Sequence, residues 1–145
     1  MQHVVLKGMG MTTRARGTFE VTLNPQAPDD KDEDTTVARL SIDKRFHGDL
    51  EATSRGQMLA VSTDGIGSAG YVAMEQVTGT LHGHSGTFAL QHSGIMTRGT
   101  PQLTVTVVPD SGTGRLVGLA GQMAIDIVDG NHLYDFEYTL PESQR

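Results

Sequence analysis

The sequence predicts an all-β fold whose sheet curves round and closes on itself, and three observations point to it. First, residues 77–90, VTGTLHGHSGTFAL, carry Gly79, Leu81, Gly83, Gly86, Phe88 and Leu90, and the same order returns as Gly114, Leu116, Gly118, Gly121, Met123 and Ile125. A looser third copy, Gly48, Leu50, Ala52, Gly56 and Met58, needs one extra residue between its halves. Second, the flanks of these glycines alternate apolar with small or polar residues, which is strand spacing, whereas a helix would lose roughly 1 kcal/mol at each glycine. Third, the chain holds 18 glycines among many Val, Thr and Leu residues and shows no long helical apolar period. Glycine inside a strand marks a bulge or a barrel corner, so three glycine-punctuated hairpins predict a curved, closed sheet.

The elements follow in order. Residues 1–11 mix apolar side chains with Lys7, Gly8 and Gly10 and read as a weak strand or an arm. Residues 13–23 alternate cleanly, with Phe19, Val21 and Leu23 on one face and Thr18, Glu20 and Thr22 on the other, as a half-buried strand does. Residues 24–35, NPQAPDDKDEDT, break that pattern with two prolines and a run of acids. Clustered carboxylates suit a hard cation, but the run lacks the spaced glycine and terminal Glu of a calcium loop and reads as a solvated acidic loop.

From Val37 the alternation resumes, with Ala38, Leu40, Ile42 and Phe46 facing inward and Arg39, Ser41, Asp43 and Arg45 outward. This strand runs into Gly48, Asp49 and Leu50 and a further strand to about Val61. Residues 62–69, STDGIGSA, form a loop; Gly65 and Gly67 resemble a phosphate loop only superficially, because no Lys follows and no helix opens. Beyond the central hairpin, residues 103–108 make a strand closed by Pro109 and a turn at 110–113. Residues 122–128 make another, ending at the hairpin signal Asp129 and Gly130. Residues 132–140 place Tyr134, Phe136 and Tyr138 on one face with His132 and Leu140, and residues 141–145 read as a frayed end.

A chain of 145 residues reads as a single domain spanning 1–145, with 24–35 as its acidic loop. The absence of Cys excludes disulfides and thiolate chemistry and suits a cytoplasmic setting. No apolar run is long enough to span a bilayer, and the N-terminus lacks the layout of a signal peptide. A net charge of −6 argues against nucleic acid or an anionic membrane as partner, since both need clustered Lys and Arg.

The candidate chemistry lies in residues 70–94. With the turn centred near His84, Leu81 faces Phe88, Gly79 faces Leu90 and Val77 faces His92. Tyr71, Ala73, Glu75, Val77 and Leu81 then share a face with Phe88, Leu90 and His92. Glu75 sits diagonal to His92, within reach of a hydrogen bond across the sheet. Burial raises the carboxyl pKa and the imidazole resists that rise, so the pair is expected near neutrality. The same two residues can equally serve only to satisfy one another on an apolar face. His82 and His84, one residue apart in a turn, have no third ligand at a metal-binding spacing and read as exposed turn residues, so no metal and no cofactor is expected. The aromatic stripe of Tyr134, Phe136 and Tyr138 can line a ligand cavity or fill the core.

The segments RFHGDLEATSRGQML, AGYVAMEQVTGTLHGHSGTFALQHSG, VVPDSGTGRLVGLAGQMAI and YDFEYTL resemble a bacterial family of unknown function in the allene oxide cyclase barrel-like superfamily. The likeness runs from about Arg45 to Leu140. More distantly, the Gly-x-Leu-x-Gly hairpin is similar to segments of dirigent proteins and allene oxide cyclases. The resemblance implies an eight-stranded antiparallel β-barrel with a central cavity, often assembled as a homo-oligomer. It also implies that Glu75 occupies a place comparable to the cavity Glu that acts on a fatty epoxide in allene oxide cyclases. Two function classes follow. In one, a cofactor-independent isomerase or cyclase holds an apolar small molecule against Phe88, Leu90, Tyr134, Phe136 and Tyr138. There Glu75 acts as general base or electrostatic stabiliser, His92 as its proton partner and Tyr71 as hydrogen-bond donor. In the other, the barrel is a non-catalytic carrier of such a molecule, or a structural oligomer with a filled interior.

Overall fold

Every seam but one in this molecule is a long antiparallel ladder, and together the ladders close a barrel. The computed structural model describes residues 12–26, 37–63 and 66–144. Eight strands follow in chain order: β1 (Thr13–Pro25), β2 (Val37–Gly48), β3 (Leu50–Ser62), β4 (Ala69–Leu81), β5 (His84–Thr97), β6 (Thr100–Val107), β7 (Ala120–Val128) and β8 (Asn131–Thr139). Each pairs antiparallel with the next, and β8 returns to β1 through a register running from Thr13↔Tyr138 to Phe19↔His132. The fold is the eight-stranded antiparallel barrel expected. The weak seam is β6 to β7, joined at the single pair Thr106↔Gln122. No helix of the described residues is long and apolar enough to cross a membrane.

The central hairpin corrects the expected register. Its turn is the two-residue His82–Gly83, not one centred near His84. Both turn residues have positive φ (47° and 81°), as the two-residue turn that matches strand twist requires. Leu81 therefore pairs with His84, Val77 with Phe88, Glu75 with Leu90 and Ala73 with His92. The displacement is an even number of residues, so every side chain keeps its face and Glu75 remains diagonal to His92, approached from the other side.

The repeat also needs correction, because only its central copy is a hairpin. Gly114–Leu116 is a short 3-10 turn in the loop after β6, and the strand of that copy begins only at Ala120. The looser copy lies along β3 alone after Gly48. What the copies share is a Leu two residues past a Gly, and Leu50, Leu81 and Leu116 are all buried at one end of the barrel, where Leu50 pairs with Leu81. With Leu119 and Leu140 they close that end. Above them Phe88 stacks on Phe136 (centroids 5.9 Å apart) and Phe46 meets Tyr134 edge-on at 5.7 Å.

The inward glycines let one strand fold over the next. A Cβ on Gly56 would lie 2.2 Å from the carbonyl O of Met74 and 2.8 Å from Glu75 Cβ. Gly56→Ala is therefore expected to destabilise the fold by about 2 kcal/mol in urea titrations, since backbone rather than a movable side chain must yield.

Boundaries differ modestly from expectation. Asn24 and Pro25, expected in the acidic loop, pair with Ser41 and Leu40 as the last rungs of β1, and the remainder of that loop after Gln26 lies outside the described residues, as do residues 1–11. The tail after Leu140 is not simply frayed, because Glu142–Gln144 forms a 3-10 turn held by Gln144 N donating to Pro141 O at 2.9 Å. Ala38, expected inward, is exposed near the start of β2, whereas Ile42 and Phe46 are buried.

Candidate active site

Four polar side chains point into the barrel and meet at one level. On β2, Lys44 shares the inward face with Ile42 and Phe46; on β3, Ser54 follows Leu50 and Ala52; Glu75 and His92 hold the matching positions of β4 and β5. Their side chains are nearly sealed, with exposures of 6% for Lys44, 0% for Glu75 and 4% for His92. Glu75 Oε1 accepts from Lys44 Nζ at 2.9 Å and from His92 Nε2 at 2.5 Å, and Oε2 accepts from Ser54 Oγ at 2.5 Å. Lys44 Nζ also lies over the rings of Phe19 and Phe46, 4.8 and 5.7 Å from their centroids. Both apolar rings thus present their negative faces to the ammonium.

This arrangement decides the charge on Glu75. Burial alone raises its pKa, but the hydrogen bond from His92, the charge of Lys44 and the hydrogen bond from Ser54 together outweigh burial and hold it at about 2. The expectation that Glu75 is poised near neutrality is thereby corrected. Glu75 is a fixed carboxylate, and a carboxylate so strongly stabilised is a poor proton acceptor. Because the Glu75 carboxylate accepts from it, Nε2 of His92 carries a proton. The other ring nitrogen, Nδ1, has no hydrogen-bond partner among the described residues. Tyr71 stands half-buried beside the imidazole (ring centroids 6.4 Å apart), and burial, then the charge of Glu75, raise its phenol pKa and keep it a donor.

The structure brings together Glu75, His92 and Tyr71, all anticipated, and adds Lys44 and Ser54, which sequence reasoning missed. The signal for Lys44 was its parity with Ile42 and Phe46, and for Ser54 its parity with Leu50 and Ala52. Of the five expected wall residues, Leu90 pairs directly with Glu75 and Phe88 lies one inward position further into the filled half. Phe136 and Tyr138 pack deeper, and the Tyr138 hydroxyl shares a 2.6 Å hydrogen bond with His82 Nδ1. Tyr134 accepts from Leu50 N and donates to His47 O, both at 2.9 Å, and burial pushes its phenol to about 12. These three are tied into the core, away from the polar cluster. His84 turns its Nδ1 toward the Leu81 carbonyl at 3.3 Å, so the two turn imidazoles are engaged separately.

Beyond the cluster, toward the end opposite the leucine plug, the inward positions are less covered. Tyr71, Leu40 and Met58 are half-buried, Leu23, Met96 and Leu103 are exposed, and Ile127 reaches 62% exposure. The cluster forms the floor beneath this apolar rim.

A family of proteins of unknown function, DUF3224, matches residues 15–138 of this chain. The crystal structure of a protein of unknown function from the DUF3224 family of Shewanella oneidensis MR-1, at 1.84 Å resolution, is similar at 47% identity and a TM-score of 0.83. The match covers 90% of this chain and 98% of that one. No curated protein matches.

Proposed function

This chain belongs to the DUF3224 family of proteins of unknown function, and we propose that its barrel binds an apolar small molecule at the open end and moves a proton on it without a cofactor. The observation that carries this reading is the buried Glu75–His92 pair, with no hydrogen bond to Nδ1 of His92 among the described residues, beneath an apolar rim. Glu75, braced by Lys44 and Ser54, fixes the tautomer and orientation of the imidazole, and His92 Nδ1 is the base. Tyr71 supplies the neutral donor. The roles first expected of Glu75 and His92 are thus exchanged.

In the reaction this supports, a C–H proton beside a carbonyl passes to His92 Nδ1, the bonding pair moves toward the carbonyl oxygen to give an enolate hydrogen-bonded by Tyr71, and the proton returns at the same or an allylic carbon. A cofactor-independent isomerase that moves a double bond or inverts a carbon beside a carbonyl belongs to this class. The test uses a panel of hydrophobic enolisable ketones in D₂O. We expect ligand-induced NMR shifts at Tyr71 and Met96 and α-deuteration that falls about a hundredfold in His92→Gln while the shifts persist. Absence of both responses in the unaltered protein sinks the reading.

A second reading, a non-catalytic carrier or a filled structural barrel, is favoured by the Phe88–Phe136 stack and the buried aromatics beneath the cluster. Shifts without deuteration would select the carrier.

A further inference from the structure

Charge is distributed very unevenly around this barrel. The chain has 28 charged residues, 11 Lys and Arg with 17 Asp and Glu, yet from Ile66 to Val107 only Glu75 and Arg98 belong to these types. Glu75 is buried inside, and Arg98 sits in the turn between β5 and β6. The outer faces of β4, β5 and β6 are therefore made only of Gly, Ala, Val, Ile, Met, Ser, Thr and Gln. A solvated sheet face of this extent ordinarily carries interspersed charge, and its depletion is the compositional mark of an interface core.

Across the β3 edge of this face runs an apolar patch built by register. On the outside, Val37 pairs with Val61, Leu59 with Val72 and Gly70 with Ile95, while Met74 projects next to Val72 on the same face. Val72, Met74 and Ile95 are 53%, 49% and 52% exposed, and the other three large side chains are comparably open. Together the six present on the order of 500 Å² of apolar residue surface, the size at which a patch on a monomer is usually functional.

We infer that this face, the outer surface of β4 to β6 with Leu59 and Val61 of β3 at its edge, packs against the same face of a second copy of the chain in a two-fold dimer. Two features of the molecule select that occupant. The chain carries a net charge of −6, so two copies repel wherever their charged faces meet, and this is the face on which they approach without that repulsion. A different protein partner would be expected to find charge to steer it, and the outer faces of β4 to β6 offer none. The area also suffices: roughly 800 Å² per partner makes a stable interface, and the apolar patch supplies more than half, with the Thr, Ser and Gln rows of β5 and β6 as the polar rim. A single self-complementary face closes at two copies, since an isologous contact uses the same surface on both.

The experiment is sedimentation velocity on the full chain from about 1 to 200 μM, together with Val72→Glu, Ile95→Glu and, on the opposite wall, Thr22→Glu. We expect the unaltered chain and Thr22→Glu to sediment with the mass of two chains. Val72→Glu and Ile95→Glu, each placing a charge twice across the two-fold, should weaken association at least about a hundredfold while leaving the far-UV spectrum unchanged. An unaltered chain that stays monomeric over the whole range assigns the face to some other partner and overturns the inference. So does an assembly whose mass survives both glutamates or corresponds to three chains. None of these readings depends on the polar cluster or on ligand binding.

Discussion

Glu75→Gln is expected to lower the stability of this barrel by about 4 kcal/mol, the largest loss of any single polar substitution in the molecule. The reason lies with Lys44. Its ammonium is almost wholly removed from water, and among the described residues its hydrogen bond goes to Glu75 Oε1 at 2.9 Å. The rings of Phe19 and Phe46 contribute on the order of 1 to 2 kcal/mol at most, less than the several kcal/mol needed to hold a desolvated charge without a counter-charge. Glutamine keeps the shape and still engages Ser54 and His92, so what the substitution removes is the charge. Equilibrium urea unfolding measures the loss, with the m-value unchanged if the unfolding stays two-state.

The companion variant makes the attribution specific. Lys44→Met alone removes the ammonium and leaves an ionised Glu75 with two donors, a loss of about 3 kcal/mol. In the double variant neither charge remains and the introduced thioether side chain packs on Phe19 and Phe46, so the two losses do not add and the coupling amounts to at least about 2 kcal/mol. Additive losses, or a Glu75→Gln effect below about 1 kcal/mol, would mean that water reaches the cluster and that the dry dyad proposed for His92 does not exist.

Much of this was legible in the sequence, and the part that was not has a physical reason. Strand alternation assigns faces, and a face assignment survives any even error of register. Thus Glu75 and His92 were placed diagonally even though the turn falls at His82–Gly83 rather than near His84. Lys44 was not legible, because a long cationic side chain in an apolar row reads as snorkelling or as the outward face. Only the pairing of β2 with β3 and of β3 with β4 carries it to a carboxylate 31 residues away. The pKa of Glu75 was missed for the same reason, since Lys44 and Ser54, which help His92 to overcome burial, sit on two other strands. The glycine repeat was visible but its meaning was not. Its recurrence reports buried leucines closing one end of the barrel and close strand approaches at Gly56 and Gly79, which no periodicity distinguishes from turns.

The acid limb of stability is expected to carry the signature of Glu75. Its carboxyl titrates at about 2 in the folded barrel, against 4.5 for an unperturbed Glu, so its folded-state pKa is depressed. Above about pH 4.5 the group is ionised in both folded and unfolded chains and its stabilisation is fully present. As the pH falls below 4.5 the unfolded chain takes up the proton first, so the unfolded state holds more protons and stability declines with falling pH. The decline ends near pH 2, where the folded barrel is protonated as well. A displacement of this size corresponds to on the order of 3 kcal/mol across the window. Other carboxylates add their own slopes, so the measurement is a comparison. Unfolding free energies of the unaltered chain and of Glu75→Gln, taken from about pH 6 to about pH 2, should differ by a constant amount down to about pH 4.5 and converge below it. A gap that stays constant to the acid end of that range would show that Glu75 titrates normally in the folded protein. A gap that widens on acidification would reverse the sign and place the proton on Glu75 in the native barrel, making the carboxyl rather than His92 the group that exchanges protons.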